Sequence, residues 1–173
     1  MNVYPRDKPV ETDTVYSDTP DIDAGSACAQ LFFGTKSLVS DLYGMEIDQK
    51  FVNTLEENIH ARSEISKLIS ARAQSEVISS AQSILWDLFI YGGKSEPHYQ
   101  HHNFVESCYQ IFKRITNIIL ELKDDPSYTW IIDLTHVCLL LNHTHDTGIN
   151  NMPTTKAKVP TSDISPLFCF RFW

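Results

Sequence analysis

ACAQLFFGTKSLVSDLYGMEIDQKFVNTLEENIHARS, residues 27–63, decides the fold class, because the spacing of its apolar residues changes partway along. ACAQLFFG (27–34) and SLVSDLYGM (37–45) are β-rich runs separated by Gly34-Thr35-Lys36, a short turn containing glycine. From residue 48 the period becomes helical: Phe51, Leu55 and Ile59 recur every four positions with Val52 beside them, and Asp48 stands where an N-cap would. Two antiparallel strands followed by an amphipathic helix is the pattern.

Working outward, TVYSDT (14–19) reads as an earlier strand, which makes three consecutive antiparallel strands. Residues 1–11 are polar, contain Pro5 and Pro9, and read as an irregular lead-in. Beyond the first helix, EISKLIS (64–70) is a short β-like run. SEVISSAQSILWDLFI (75–90) is helical, with Val77, Ile78, Ala81, Leu85, Leu88 and Phe89 along one side, and Gly92-Gly93 reads as the turn that ends the segment. The clearest helix follows Asn103: Val105, Tyr109, Phe112, Ile115, Ile119 and Leu122 are expected to form one continuous buried stripe, halted at Pro126. SYTWIIDLTHVCLLLNHT (127–144) reads as a second apolar helix packed on it. The expected organisation is a lead-in over 1–11, one domain over 12–145, and a linker with a truncated C-terminal segment, LFCFRFW, over 146–173. The fold class is α/β, a mixed sheet flanked by helices.

Composition narrows the function. A hydrophobic fraction of 42% and a charged fraction of 21% belong to a globular chain. TWIIDLTHVCLLL is interrupted by Asp133, Thr135 and His136 and is too short to span a bilayer, so no membrane association is expected. The N-terminus lacks an apolar core of signal-peptide type, and the four cysteines (Cys28, Cys108, Cys138 and Cys169) form no CxxC pair. An unsecreted, cytoplasmic or nuclear chain with reduced thiols is expected. The net charge of −8 offers no general attraction for phosphate.

The stretch PHYQHHNFVE, residues 97–106, concentrates polar chemistry ahead of the strongest helix. Asn103 followed three positions later by Glu106 matches a capping box, and Glu106 suits the positive end of the helix dipole. His98, His101 and His102 match no zinc-ligand spacing, so no zinc is expected there. No serine sits in GxSxG, and Cys108 and Cys138 occupy apolar helix positions rather than a nucleophile signature.

In this order, VYSDTPDIDAG, QKFVNTLEENI, SEPHYQHHNFVE with its helix, and LLLNHT followed by ISPLFCFRFW resemble the integrase catalytic core of copia-type LTR retrotransposons. The resemblance covers roughly residues 12–173 and implies a ribonuclease-H-like fold. It implies nucleic acid binding, DNA integration, and a phosphoryl transfer in which carboxylates hold Mg2+ or Mn2+. It places Asp18 as the first carboxylate, with Asp21 and Asp23 as neighbouring competitors, and Glu106 as the helix glutamate. The second aspartate position, thirty-five residues before Glu106, is Ala71. An alanine cannot ligate a hard cation, so the resemblance implies a degenerate copy, a pseudoenzyme. Phe104 and Ser107 also depart from the family's small and basic residues. Lys67, Arg72, Lys94, Asn103, Lys113 and Arg114 are the nucleic-acid candidates, and DNA and a second copy of the chain are the expected partners. Two alternatives stand beside this: a non-catalytic interaction or dimerisation module on the same fold, and an enzyme using Asp18, Asp41 and Glu106.

Overall fold

The computed structural model describes residues 6–22, 25–35, 39–46, 50–62, 65–70, 75–94, 104–143, 145–146 and 152–153. Of these, it describes the backbone alone at 6–8, 62, 75–80, 94, 104–107, 145–146 and 152–153. The main sheet has five strands: β1 (Arg6–Tyr16), β2 (Cys28–Gly34), β3 (Ser40–Met45), β4 (Ile65–Ser70) and β5 (Tyr91–Lys94). Helix α1 (Phe51–Arg62) joins β3 to β4, and α2 (Ser75–Asp87) joins β4 to β5. Helices α3 (Phe104–Lys123) and α4 (Trp130–His143) follow, linked through a 3-10 turn at Ser127–Thr129. Two-residue strands β6 (His145–Asp146) and β7 (Met152–Pro153) pair separately.

The strand order is β3-β2-β1-β4-β5, antiparallel among the first three and parallel from β1 through β4 to β5. The α/β class and mixed sheet expected from the sequence are present. All seven residues of β2 are buried, as expected of a strand covered on both faces, and its one polar side chain, Gln30, accepts from Thr14 Oγ1 at 2.7 Å and donates to Thr12 Oγ1. On one face Val10, Phe32, Met45 and Leu68 pack with Phe51 and Leu55 of α1 and Ala81 and Leu85 of α2. On the other, Val15, Ala29, Leu31 and Phe33 pack with Phe112 of α3 and Trp130, Leu134 and Val137 of α4.

Two elements correct the sequence reading. The lead-in expected over 1–11 is, from Arg6, the first half of the central strand. The strand expected over 14–19 stops at Tyr16. Proline lacks the N–H of a sheet ladder and is tolerated where a ladder is irregular. Pro9 sits where the β1–β4 register shifts, and its carbonyl accepts from Thr35 N at 3.1 Å and Thr35 Oγ1 at 3.0 Å. The turn expected at Gly92-Gly93 is instead part of β5, paired in parallel with Leu68 and Ile69. A Cβ at Gly93 would stand 3.0 Å from Lys67 Cε, so glycine here lets the lysine stem cross the strand.

Both α2 and α3 end with a left-handed residue that is not glycine. At α2, Ile90 N bonds Leu85 O at 2.7 Å and Phe89 N bonds Trp86 O at 3.1 Å, with Phe89 at φ 54°. At α3, Asp125 N bonds Leu120 O at 3.1 Å and Asp124 has φ 53°. These are the paired bonds of the Schellman motif, whose left-handed position normally carries glycine. Beyond α3, Lys123 Nζ reaches the buried Asp133 Oδ1 at 2.8 Å and holds the α3–α4 turn closed. That contact is the main reason the Lys123 amine is raised above its ordinary pKa.

The C-terminal end of α4 is tied to β3 by a buried amide. Asn142 Oδ1 accepts from Ser40 N at 2.9 Å and Ser40 Oγ at 3.1 Å, while Asn142 Nδ2 donates to Ser40 O at 2.7 Å. Cys138 Sγ lies 3.0 Å from the same serine Oγ.

Candidate active face

The side-chain alternation of β1 decides which carboxylates meet α3, because successive strand residues point to opposite faces. Glu11 is the register partner of Phe33 and Asp13 that of Leu31, and both partners belong to the core beneath α3 and α4. Thr12, by contrast, pairs with Phe32 of the α1 face. Glu11 and Asp13 therefore lie on the side where α3 packs against β1.

Two α3 side chains feel this proximity. Burial, with the Glu11 carboxylate adding to it, pushes the half-buried Cys108 thiol up to about 11. Burial and then the Asp13 carboxylate raise the Tyr109 phenol above its ordinary value. An anion nearby disfavours formation of a second anion. A thiol of pKa about 11 is almost wholly protonated at pH 8, so alkylation of Cys108 by iodoacetamide is expected to run about 100-fold slower than that of an unperturbed cysteine. Peptide mapping after timed labelling checks this, and a rate matching free cysteine at pH 8 would show that neither burial nor Glu11 acts on Cys108.

Glu106 lies in the first turn of α3, one turn ahead of Tyr109 and Gln110, with its backbone described and its side chain outside the description. Asp18 is elsewhere. It follows the end of β1 in an exposed loop, and its neighbour Thr19 bonds Ser127 through Oγ1 and Oγ at 3.3 Å. Ser127 lies past the C-terminal end of α3, so roughly 25 Å of helix separates that end from Glu106. The structure thus does not bring Asp18 and Glu106 together. Asp21, the competitor, is buried at the same far end, in a turn where Gly25 N bonds Asp21 O and Ile22 N bonds Tyr128 O, each at 3.0 Å. Asp23 lies outside the described residues. Asp41 pairs with Phe32 on the α1 face and accepts from Asn58 Nδ2 at 3.3 Å, so the set Asp18, Asp41 and Glu106 is not assembled either.

Ala71, Arg72, His98, His101, His102 and Asn103 also fall outside the described residues. The last described residue of β4, Ser70, is the register partner of Thr12, one position before Asp13. Lys67 is half-buried on the α3 side of β4, as the partner of Pro9, with its ammonium 5.4 Å from the centre of the Tyr91 ring. Lys94 ends β5 opposite Ser70. Lys113 and Arg114 are exposed on the outer side of α3, where with Gln110, Asn117 and Glu121 they line a shallow open groove. The acid in that groove offsets part of its charge.

Glu11, Asp13 and Tyr91, which share this face of the sheet, are not among the residues singled out in the sequence. The alternation in VETDTVY carried the signal for the first two, since Glu11 and Asp13 share the parity of the buried Val15. The oxygen chemistry of Glu11, Asp13 and Glu106 suits a hard divalent cation. Among the described residues, however, no group of three ligating side chains is gathered, and no step through a metal follows for them.

No protein-family model and no curated protein matches the sequence. Among solved structures, the chain is similar to the HTLV-2 integrase catalytic core domain, which was solved in complex with magnesium in a trimeric form. The TM-score is 0.67 at 12% identity, and the match covers 90% of this chain and 97% of that one. The fold is therefore that of a retroviral integrase catalytic core, a ribonuclease-H-like mixed sheet with helices. No helix among the described residues is long and apolar enough to cross a membrane.

Proposed function

We propose that the chain is a nucleic-acid-binding, integrase-core-like protein of retrotransposon type, with a degenerate carboxylate site that leaves it inactive in DNA integration. The observation that carries the reading is the placement of Asp13 on the α3 side of the central strand, where its charge reaches Tyr109, one turn along from Glu106. Asp13 takes the role the sequence assigned to Asp18, and Glu106 keeps the role of helix glutamate. Ala71 is the lost ligand. With only part of the oxygen set left, Mg2+ or Mn2+ binds weakly, because these ions need several carboxylate or substrate oxygens held in a fixed geometry.

The test compares the native chain with Ala71→Asp in magnesium- and manganese-dependent nicking and strand transfer on a labelled DNA end. The native chain is expected to be silent and Ala71→Asp to gain metal-dependent activity, which Glu106→Gln then removes. Native activity that Glu106→Gln abolishes would overturn the incomplete site. Silence of Ala71→Asp would overturn the carboxylate assignment.

A second reading, a homodimerising module without chemistry, is favoured by the apolar residues left exposed along α3 and α4: Ile111, Ile118, Leu122, Ile132 and Leu139. Single apolar residues at a surface are ordinary, but five on two packed helices suit a partner copy. A dimer that persists without DNA or metal, in a chain that binds no DNA, supports this reading over the first.

A further inference from the structure

The edge of the sheet at β5 presents aromatic rings in a way the fold does not require. Tyr91 is 67% exposed and Phe89 93% exposed, on either side of the buried Ile90. Phe89 occupies the left-handed position of the α2 C-cap at φ 54°, where a bulky side chain is strained and glycine would relieve it. Its ring gains no burial in return. Tyr91 stands on the α3 side of the sheet, since it pairs with Lys67, which pairs in turn with Pro9 of β1. In the next row Gly93 pairs with Ile69, which pairs with Glu11. The stem of Lys67 crosses the bare Gly93, and its ammonium rests over the Tyr91 ring. By strand spacing and rise, Tyr91 lies about 16 Å from Asp13 across the same face of the sheet.

We infer that Phe89 and Tyr91, with Lys67, form a stacking platform for unpaired bases of a DNA strand. This rests on the nucleic-acid reading above. A chain of net charge −8 cannot draw its affinity chiefly from phosphate neutralisation. Stacking on exposed rings needs no net positive charge and accepts any base. One lysine held over a tyrosine supplies a single cation for the adjoining phosphate while leaving the outer face of the ring open. The platform therefore selects single strands or frayed ends over intact duplex, and the binding it gives depends only weakly on salt.

The experiment measures binding of a fluorescein-labelled 20-nucleotide oligothymidylate to the full chain by fluorescence anisotropy, without divalent metal. The native chain is expected to bind, and Tyr91→Ala to weaken binding about 5- to 100-fold, the usual effect of removing a stacked base partner. Phe89→Gly is expected to weaken it within the same range while raising the melting temperature by about 2–4 °C through relief of the left-handed strain. That opposite movement separates loss of a ring from loss of fold. Lys67→Met weakens binding and lowers the salt slope by about 0.7, one phosphate contact on a single strand. Native binding that survives both ring substitutions, or a duplex of the same length that binds tighter, overturns the platform and leaves the nucleic-acid reading standing. A native chain that binds no oligonucleotide overturns both.

Discussion

In the Ala71→Asp background, Asp13→Asn is expected to cut metal-dependent DNA cleavage at least about 100-fold, whereas Asp18→Asn changes it less than about twofold. The contrast follows from strand parity and helix length together. Asp13 shares a face with Leu31 and α3, and Asp18 lies past the strand end beside the turn that follows α3. A carboxylate beside the far end of α3, with roughly 25 Å of helix between that end and Glu106, is out of reach of a cation held at Glu106. Glu11→Gln is the informative companion, because Glu11 faces the same helix two residues earlier. Cleavage assays at saturating Mn2+, run with calorimetric titration of the metal, separate lost binding from lost chemistry. Equal losses at Asp13 and Asp18 would mean that the β1 register in solution differs from the one described.

Asn142→Ala is expected to destabilise the chain by about 3 kcal/mol, since it strands the buried N–H and C=O of Ser40 and removes the acceptor of its hydroxyl. In a chain of 173 residues this lowers the melting temperature by about 6–12 °C. The loss is large for one polar residue because Asn142, at 4% exposure, leaves no room for water to replace it without opening the α4–β3 seam. Urea unfolding followed by circular dichroism measures it. A loss below about 1 kcal/mol would show that solvent reaches Ser40 and that the amide only caps an already stable contact.

Most of the fold is legible in the periodicity of the sequence. The two-faced run of β2, the four-residue spacing in α1 and the α3 stripe from Tyr109 to Ile119 appear close to where that periodicity puts them, whereas Leu122, expected in the buried stripe, is exposed. What was lost lay where local punctuation and tertiary pairing disagree. Pro9 reads as a break, but a register irregularity and two bonds from Thr35 absorb it. Gly92-Gly93 reads as a turn, but parallel pairing with β4 makes it a strand, and Gly93 clears the path of Lys67. The candidate site was half legible. Glu106 is placed by its helix alone, but the choice among Asp13, Asp18, Asp21 and Asp23 depends on where β1 starts. The sequence reading starts that strand eight residues late and puts Asp18 within it, whereas β1 ends at Tyr16 and Asp18 follows in a loop.

The position of β1 also has an architectural meaning for where this domain begins. Its antiparallel ladder with β2 and its parallel ladder with β4 join the two halves of the sheet, and neither β2 nor β3 pairs with β4 or β5. The stretch read as an irregular lead-in is thus, from Arg6, the first half of the strand that joins the sheet. A deletion reaching residue 16 leaves two separate two-stranded pieces, the antiparallel pair β2–β3 and the parallel pair β4–β5, each with a raw edge where β1 had been, and such edges invite pairing with other chains. Any boundary drawn around the domain belongs ahead of Arg6.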